Sequence, residues 1–311
     1  MIGKLLGATL AVAFVAGAAQ AQDDWYPSKY GAADTLGAVN NLSPEGVKRA
    51  AALVKTGKVY ALGIPTGPEA PVYGERKYTA EGIPTPPPGQ PPIGESKVTA
   101  FDEKVTTSMG IGTQMDGLAH LGIDHRHYNG IRADELAATR FARLDMSKIP
   151  PIVTRGVVID MRKHFGRPLA AGHAFTAADI QAALKSQKIT IGRGDVVLLH
   201  TGWMADKLAS DKATFQASEP GLGLEAAAWL CDQGVVAIGA DTIALEAIPF
   251  ENPNRPFVVH QHMLAKRGVH VLENINVGPL AADGVTEFLF VLGQPRFQGT
   301  VQVVINPIAI R

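Results

Sequence analysis

Beyond residue 150, short runs of β-branched and apolar residues alternate with segments whose apolar residues recur at helical spacing. The runs predict strands at residues 157–161, 195–199, 235–240, 269–273, 287–292 and 301–305. Helices are predicted from an N-cap at Thr176 to about residue 185, over residues 223–233 and near residues 262–267. Strands that alternate with helices in this way are typical of an α/β fold.

The first half of the chain carries fewer regular elements. Ser43 as N-cap and Pro44 at the first helical position predict a helix to about residue 54, and a strand is predicted at residues 59–64. Residues 65–97 hold nine prolines and no apolar periodicity. A simple connection is seldom this long, so the segment is interpreted as a lid, with a binding loop or a mobile excursion as the alternatives.

The N-terminus has the form of a secretory signal. Residues 1–21 contain a lysine near the start, an apolar core and a terminal Ala-Gln-Ala. The apolar core is shorter than the roughly 20 residues that a spanning helix needs, which disfavours an uncleaved anchor. We therefore expect a mature domain over residues 22–311, located in the bacterial periplasm and not bound to the membrane after cleavage.

Charge and composition narrow the class of partner. The 311-residue chain carries 29 basic and 29 acidic side chains, without the basic surplus that nucleic-acid or anionic-lipid binding requires. A small-molecule substrate is therefore expected, and no nucleic acid. The single cysteine, Cys231, cannot form an intramolecular disulfide and is interpreted as buried core.

The densest polar cluster is G-I-G-T-Q-M-D-G-L-A-H, over residues 110–120. If the segment is extended, Gln114 and Asp116 project to the same face, because side chains alternate with period two. His120 follows Asp116 by four residues, so one helical turn or a tight bend returns it to that face. An amide, a carboxylate and an imidazole suit a metal site or an acid/base site. A turn capped by Asp116, with His120 in the core, is an equal alternative.

A second polar cluster, H-Q-H at residues 260–262, precedes a strand that ends at Glu273. Glu273 shares a face with apolar Val269 and Val271, and an unpaired carboxylate there would be costly to bury. We therefore predict that Glu273 is paired or metal-bound, with the first cluster as its partner. The alternative is that its carboxylate reaches water at the strand end.

Polar residues also close two other predicted strands. His200 and Thr201 follow the strand at residues 195–199, and Asp241 follows the strand at residues 235–240. Because ligands bind at the carboxyl ends of strands in open α/β sheets, these residues are predicted to contact substrate, with Trp203 as an apolar wall. The alternative is that they only cap and turn the backbone.

These segments, in this order, resemble the metal-dependent cyclase family that includes bacterial kynurenine formamidases and isatin hydrolases. Residues 110–120 correspond to the pattern H-x-G-T-H-x-D-x-P-x-H, and the similarity continues in L-H-T-G-W at residues 199–203, G-A-D at 239–241 and E-N at 273–274. The resemblance implies a swivelling β/β/α fold, assembled as a homodimer or homotetramer. We therefore expect a single domain of this type that carries the Pro-rich lid.

The family pattern also implies a ligand set, from which this chain departs. The two early histidine ligands correspond to Gly110 and Gln114, whereas Asp116 matches. The final histidine of the motif, the family's acid/base, corresponds to His120, and the late carboxylate ligand to Glu273.

A late histidine ligand is implied as well. A gapless count back from Gly268 places it at Gln261, with His262 one residue beyond. The predicted metal ligands are therefore Gln114, Asp116, His262 and Glu273. They are expected to bind one divalent ion, Mn²⁺ or Zn²⁺, with Mg²⁺ as a further possibility.

The resemblance thus predicts a hydrolase that cleaves an amide, a cyclic amide or an ester of a small, aromatic molecule. Metal-activated water is the expected nucleophile, His120 the acid/base, and Glu273 a second catalytic group. Two alternatives stay open: a metal-poor lyase or isomerase of the same fold, and a periplasmic binding protein without catalysis.

Overall fold

The computed structural model describes residues 25–311. The predicted signal sequence at residues 1–21 lies outside this range. Within the described range, no helix combines the length and apolarity that crossing a bilayer would require.

Within residues 25–311, thirteen strands form one large sheet and two small ones. Their bounds are β1 Val59–Ala61, β2 Tyr78–Thr85, β3 Ala100–Thr107, β4 Gln114–Asp116, β5 Ile152–Asp160, β6 Ala174–Phe175, β7 Val196–His200, β8 Gly221–Leu222, β9 Ala237–Ala240, β10 His270–Glu273, β11 Glu287–Leu292, β12 Gln302–Val304 and β13 Ile308–Ile310. The large sheet has the order β1-β13-β11-β5-β7-β9-β10-β4-β12. Its centre, β5-β7-β9-β10, is parallel and both flanks are antiparallel.

Eight α-helices precede or connect the strands in the described part of the chain. They are α1 Pro44–Ala51, α2 Ala133–Ala138, α3 Met161–Phe165, α4 Ala177–Gln187, α5 Lys212–Ala217, α6 Leu224–Asp232, α7 Val258–His260 and α8 Gly278–Ala282. Two π-helical turns occur at Met204–Leu208 and Gln261–Arg267, and short 3₁₀ turns at Gly37–Asn41, Tyr128–Gly130 and Met146–Lys148.

Local sequence signals account for several boundaries. The Ser43 hydroxyl accepts a hydrogen bond from the Gly46 amide and so caps α1. At α4, Thr176 and Asp179 form a reciprocal capping box, which satisfies two amides at the helix start. The predicted α/β single-domain fold is confirmed.

The Pro-rich segment is more regular than the sequence indicates. Tyr78–Thr85, in the middle of residues 65–97, is a strand that pairs along its whole length with Ala100–Thr107. The prediction of a continuous loop is therefore wrong for these residues. Proline is tolerated because a two-stranded hairpin consists of edge strands, where a missing amide donor need not break a ladder. The lid role stays a prediction.

Apolar side chains pack on both faces of the large sheet. Val157, Leu199 and Val271 lie in one core with the buried faces of α4 and α6, whereas Val158 and Leu198 lie in the core on the opposite face. The parallel strands consequently have little polar surface except at their carboxyl ends. This edge, where β5, β7, β9 and β10 end, contains the polar groups described next.

Candidate metal centre

Strand register brings four polar side chains to one face of the sheet. β4 lies between β10 and β12, with Gln114 opposite Glu273 and Asp116 opposite Gln302. Met115, between the two β4 residues, faces the opposite core. Because side chains alternate along a strand, the three strands together place two carboxylates and two amides side by side.

His260 completes this group from the end of α7. Its Nε2 lies 3.2 Å from Glu273 Oε1 and 3.6 Å from Asp116 Oδ2. One potential ligand atom from each of Asp116, His260 and Glu273 lies within 4.8 Å of the others, and all three side chains are buried. A buried His with two carboxylates is a donor set that suits a divalent cation.

One oxygen of this group has no hydrogen-bond partner. Within residues 25–311, Asp116 Oδ2 is buried and accepts no hydrogen bond, whereas Asp116 Oδ1 accepts one of 2.7 Å from Gln302. An unsatisfied buried carboxylate oxygen costs free energy unless something coordinates it. The carboxylate group is therefore oriented on one side by the protein and left open on the other, as a metal ligand would be.

The histidine that lies with Asp116 and Glu273 is His260, whereas the sequence predicted His262, or Gln261, at this place. Gln261 donates to the carbonyl of Gly122, and His262 lines a surface cavity with Trp25 and Pro27. The gapless count failed because residues 261–267 form a π-helical turn, which holds about one more residue per turn than an α-helix.

Gln114 and His120 both lie at this group. The Gln114 amide donates to Glu273, so it contacts the carboxylate through nitrogen, and it lies 3.5 Å from Asp116 Oδ1. His120 Nε2 is 3.8 Å from Asp116 Oδ2, and the His120 side chain is 20% exposed. His120 is thus the part of the group that reaches solvent.

Burial and charge shift the pKa values in opposite directions. Burial opposes ionisation of Asp116, but the imidazoles of His120 and His260 outweigh it and hold the pKa of Asp116 at about 2. Burial and the charge of Asp116 raise the pKa of Glu273 to about 7. Burial lowers the pKa of His120, which therefore favours the neutral imidazole.

Glu246 binds the ring nitrogen of His260 that does not face Asp116 and Glu273. Its Oε1 lies 2.5 Å from His260 Nδ1 and accepts a hydrogen bond of 3.2 Å from the His260 amide. A carboxylate on the far nitrogen fixes the ring orientation and makes Nε2 a better ligand. Nothing in the sequence around Glu246 marks this role, which depends on the chain path between β9 and α7.

Three residues next to these side chains adopt left-handed backbone conformations. Leu245 has φ 60°, Phe257 has φ 56° and Asn274 has φ 55°. Leu245 and Asn274 directly adjoin Glu246 and Glu273 in the sequence, and Phe257 precedes His260 by three residues. Such conformations cost about 1–3 kcal/mol each in non-glycine residues and persist where the surrounding structure requires them.

The predicted substrate-contact residues Thr201 and Asp241 instead bind each other. Asp241 accepts hydrogen bonds from the Thr201 amide and hydroxyl and from the Gly202 amide, at 2.7–2.8 Å. Both side chains are buried. The pair holds the turn after β7, as the capping alternative describes, and contact with a substrate stays a prediction.

Trp203 follows that turn and packs into an apolar cluster with Phe215 and Ile243. Phe257 contacts the edge of His260 and, at a ring-centroid distance of 5.7 Å, Tyr73. Phe257, which the sequence did not single out, therefore packs directly against His260, whereas Trp203 is buried in the apolar cluster against which Tyr73 packs.

His200 pairs with Asp160 across adjacent parallel strands. The two residues are in register at the ends of β7 and β5, with Nδ1 2.9 Å from Oδ1. Burial disfavours the imidazolium, but the hydrogen bond that His200 donates to Asp160 and the charge of Asp241 raise the pKa of His200 above its ordinary value. His200 therefore has a hydrogen-bond partner within the protein, and its contact with a substrate stays a prediction.

This pair makes stability depend on pH. Because the folded-state pKa of His200 lies above the unfolded value of about 6.5, its contribution is complete below that value and is lost as pH rises through the folded-state pKa. We expect His200→Gln to destabilise the protein at pH 6 and to cost less at pH 9. Urea unfolding of both proteins with chelator present checks this; an equal difference at both pH values would contradict it.

The sequence and structure were compared with known proteins. Residues 60–247, more than half of the chain, match the cyclase family model. A crystal structure of a novel cyclase is 27% identical, with a TM-score of 0.80 over 91% of this chain and 98% of that one. No curated protein sequence matches.

Two further structures are similar at the level of fold. An isatin hydrolase bound to the product analogue thioisatinate is 19% identical, with a TM-score of 0.59 over 86% of this chain and 98% of that one. A predicted metal-dependent hydrolase from Bacillus stearothermophilus is 18% identical, with a TM-score of 0.52 over 81% and 97%, respectively.

Proposed function

Since the chain belongs to the cyclase family, we propose that it is a metal-dependent hydrolase of small carbonyl compounds. The observation that carries this proposal is the buried group Asp116, His260 and Glu273, in which Asp116 Oδ2 lacks a hydrogen-bond partner among residues 25–311. The similarity in fold to an isatin hydrolase and to a metal-dependent hydrolase supports the same class.

The residues fit one divalent ion. Asp116 and Glu273 would bind it through oxygen and His260 through Nε2, while Glu246 and Gln302 orient these ligands. The mixed nitrogen and oxygen donors favour Mn²⁺ or Zn²⁺, with Mg²⁺ less suited to the imidazole. When bound, such an ion lowers the pKa of a water molecule and polarises a carbonyl group.

His120 is the acid/base of the proposed reaction. Its ring is partly exposed and lies beside Asp116 without being one of the three ligands. Water oxygen attacks the carbonyl carbon, and its proton passes to the neutral His120 imidazole. The C–N or C–O bond then breaks, and His120 returns the proton to the departing nitrogen or oxygen. The products are a carboxylic acid and an amine or alcohol.

The proposed substrates are amides, cyclic amides or esters of a small aromatic molecule. Phe257 contacts both His260 and Tyr73, so an aromatic surface lies directly against the metal group. Aromatic side chains bind planar apolar ligands by stacking or edge contacts. Arylformamides, lactams and lactones are accordingly the first compounds to screen.

The test is to measure the metal content of the purified protein and its hydrolysis of these compounds with and without chelator. We expect activity that chelator abolishes and Mn²⁺ or Zn²⁺ restores. Turnover that is indifferent to chelator, with product mass equal to substrate mass, would instead support an isomerase. Ligand retention without turnover or metal would support a binding protein.

Replacing Glu246 with Gln is expected to weaken metal binding by about tenfold or more. The amide keeps an oxygen near His260 Nδ1 but loses the charge that strengthens Nε2 as a ligand. Isothermal titration with Mn²⁺ measures the change. The matched control is Glu225→Gln, an exposed acid in the first turn of α6, for which affinity should not change. Equal affinities in both variants would contradict the positioning role.

A further inference from the structure

Arg76 and Gln302 occupy the space that a side chain at position 110 would need. A Cβ built on Gly110 would lie 2.7 Å from Arg76 Cζ and 2.8 Å from both Arg76 Nη1 and Gln302 Nε2. Real Cβ atoms essentially never approach other atoms this closely. The absence of a side chain at Gly110 therefore allows the Arg76 guanidinium to lie where it does.

Arg76 is held at this place but not neutralised. Its Nη1 donates a hydrogen bond of 2.7 Å to the Gly110 carbonyl. None of the carboxylates in the described part of the chain lies within 4.0 Å of its guanidinium nitrogens. Arginine carries five N–H donors, so most of its donors are left for another partner.

The Arg76 charge acts on the metal group. Burial and Asp116 raise the pKa of Glu273, and Arg76 opposes them. Burial lowers the pKa of His120, and Arg76 adds to that effect. Gln302 links the two places directly, because its Nε2 donates to Asp116 Oδ1 and also borders the Gly110 position.

Arg76 also faces an open space. It lines a cavity of about 530 Å³ together with Val72, Tyr78 and Ile111. Ile111 directly follows Gly110 in the loop that leads to β4. The half-buried guanidinium of Arg76 therefore lines this cavity, and its charge also acts on Glu273 and His120.

We propose that Arg76 is a specificity-determining residue that binds a carboxylate of the ligand. A guanidinium pairs with a carboxylate through two parallel hydrogen bonds, which a lysine cannot reproduce. This inference rests on the proposed function. It narrows the proposed substrates to aromatic compounds that carry a carboxylate or acquire one when the amide or ester bond is hydrolysed. Gly110 contributes to the same binding site, because any larger residue at position 110 would displace the Arg76 guanidinium.

The experiment measures binding of benzoate and of its neutral counterpart benzamide by isothermal titration. It is run on the Mn²⁺-loaded protein and again with chelator, and it needs no turnover. We expect wild-type protein to prefer benzoate, Arg76→Met to lose about tenfold or more of the benzoate affinity, and Arg76→Lys to recover part of it. Benzamide affinity should stay unchanged in all three.

The variant Gly110→Ala is expected to move the Arg76 guanidinium without removing its charge. The Cβ meets only the ends of two flexible side chains, so the fold can adapt while Arg76 moves away. We expect this variant to lose benzoate affinity as Arg76→Met does. The controls are Gly82→Ala, where a Cβ meets nothing within 4 Å in the described structure, and Lys104→Met on exposed β3. Both should bind benzoate like the wild type.

Equal benzoate affinity in wild type and Arg76→Met would overturn the proposal, as would equal wild-type affinities for benzoate and benzamide. These outcomes are independent of catalysis. A protein that binds benzoate through Arg76 but hydrolyses none of the screened compounds would refute the proposed function alone. A chelator-sensitive hydrolase with an unchanged Arg76→Met variant would refute the role of Arg76 alone.

Discussion

His120→Gln is expected to lower kcat by about a hundredfold or more while the protein still binds its metal ion. A positioned acid/base accelerates a reaction by roughly 10²–10⁴-fold. His120 lies beside the metal group, and within residues 25–311 no carboxylate accepts a hydrogen bond from its imidazole. Steady-state hydrolysis of the best arylformamide, lactam or lactone from the screen measures the loss.

The control for this variant is His125→Asn. His125 lies five residues further on in an exposed loop, with φ 58°, a conformation that asparagine tolerates. We expect its kcat to stay within about twofold of the wild type, as for most surface substitutions. If His120→Gln kept full turnover with metal bound, another group would have to move the proton, and the assignment would be wrong.

His260→Ala is expected to reduce kcat/KM by about a thousandfold or more, equivalent to roughly 4 kcal/mol. Removing the imidazole leaves two carboxylates without their nitrogen partner, and Glu246 without the group it orients. The hydrolysis rate at low substrate concentration measures this loss.

His262→Ala is the matched variant, two residues further along the chain, in the π-helical turn that follows α7. His262 is half-buried in a surface cavity with Trp25 and Pro27, away from Asp116 and Glu273. We expect kcat/KM within about threefold of the wild type, the range of a substitution that touches no ligand. A larger loss in His262→Ala than in His260→Ala would reverse the assignment of the two histidines.

Much of the fold is encoded locally and could be predicted. Thr176 with Asp179 and Ser43 with Pro44 fix helix starts within a few residues, because capping satisfies amides that the helix cannot. The strand at Glu287–Leu292 alternates buried and half-buried residues with period two. The hairpin of β2 and β3 was missed because its residues are mostly exposed, so no apolar face marks it.

The site divides in the same way. Gln114 and Asp116 share a face because of a two-residue spacing, which the sequence states directly. The cost of burying an unpaired carboxylate predicted that Glu273 joins them, whereas the register between β4 and β10 that places Glu273 opposite Gln114 could not be predicted from spacing. Cyclase-family membership is established, whereas the periplasmic location, the signal peptide and the homo-oligomer stay predictions.

The contributions of His260 and Arg76 could not be predicted. His260 depends on a π-helical turn, a backbone irregularity without a local sequence signal. Arg76 lies in a Pro-rich segment, and its approach depends on what Gly110 lacks. The hydrogen bonds between Thr201 and Asp241 could not be predicted either, because polar residues at a strand end can contact ligand or hold the turn, and the sequence does not distinguish the two roles.

The most direct test is to count the metal ions bound by wild-type protein, His260→Ala and His262→Ala after dialysis against Mn²⁺ or Zn²⁺, using elemental analysis. Binding through Asp116, His260 and Glu273 predicts one ion per chain in the wild type and in His262→Ala, and a large loss of bound ion in His260→Ala. An ion retained in His260→Ala, or absent from the wild type, would contradict the metal centre.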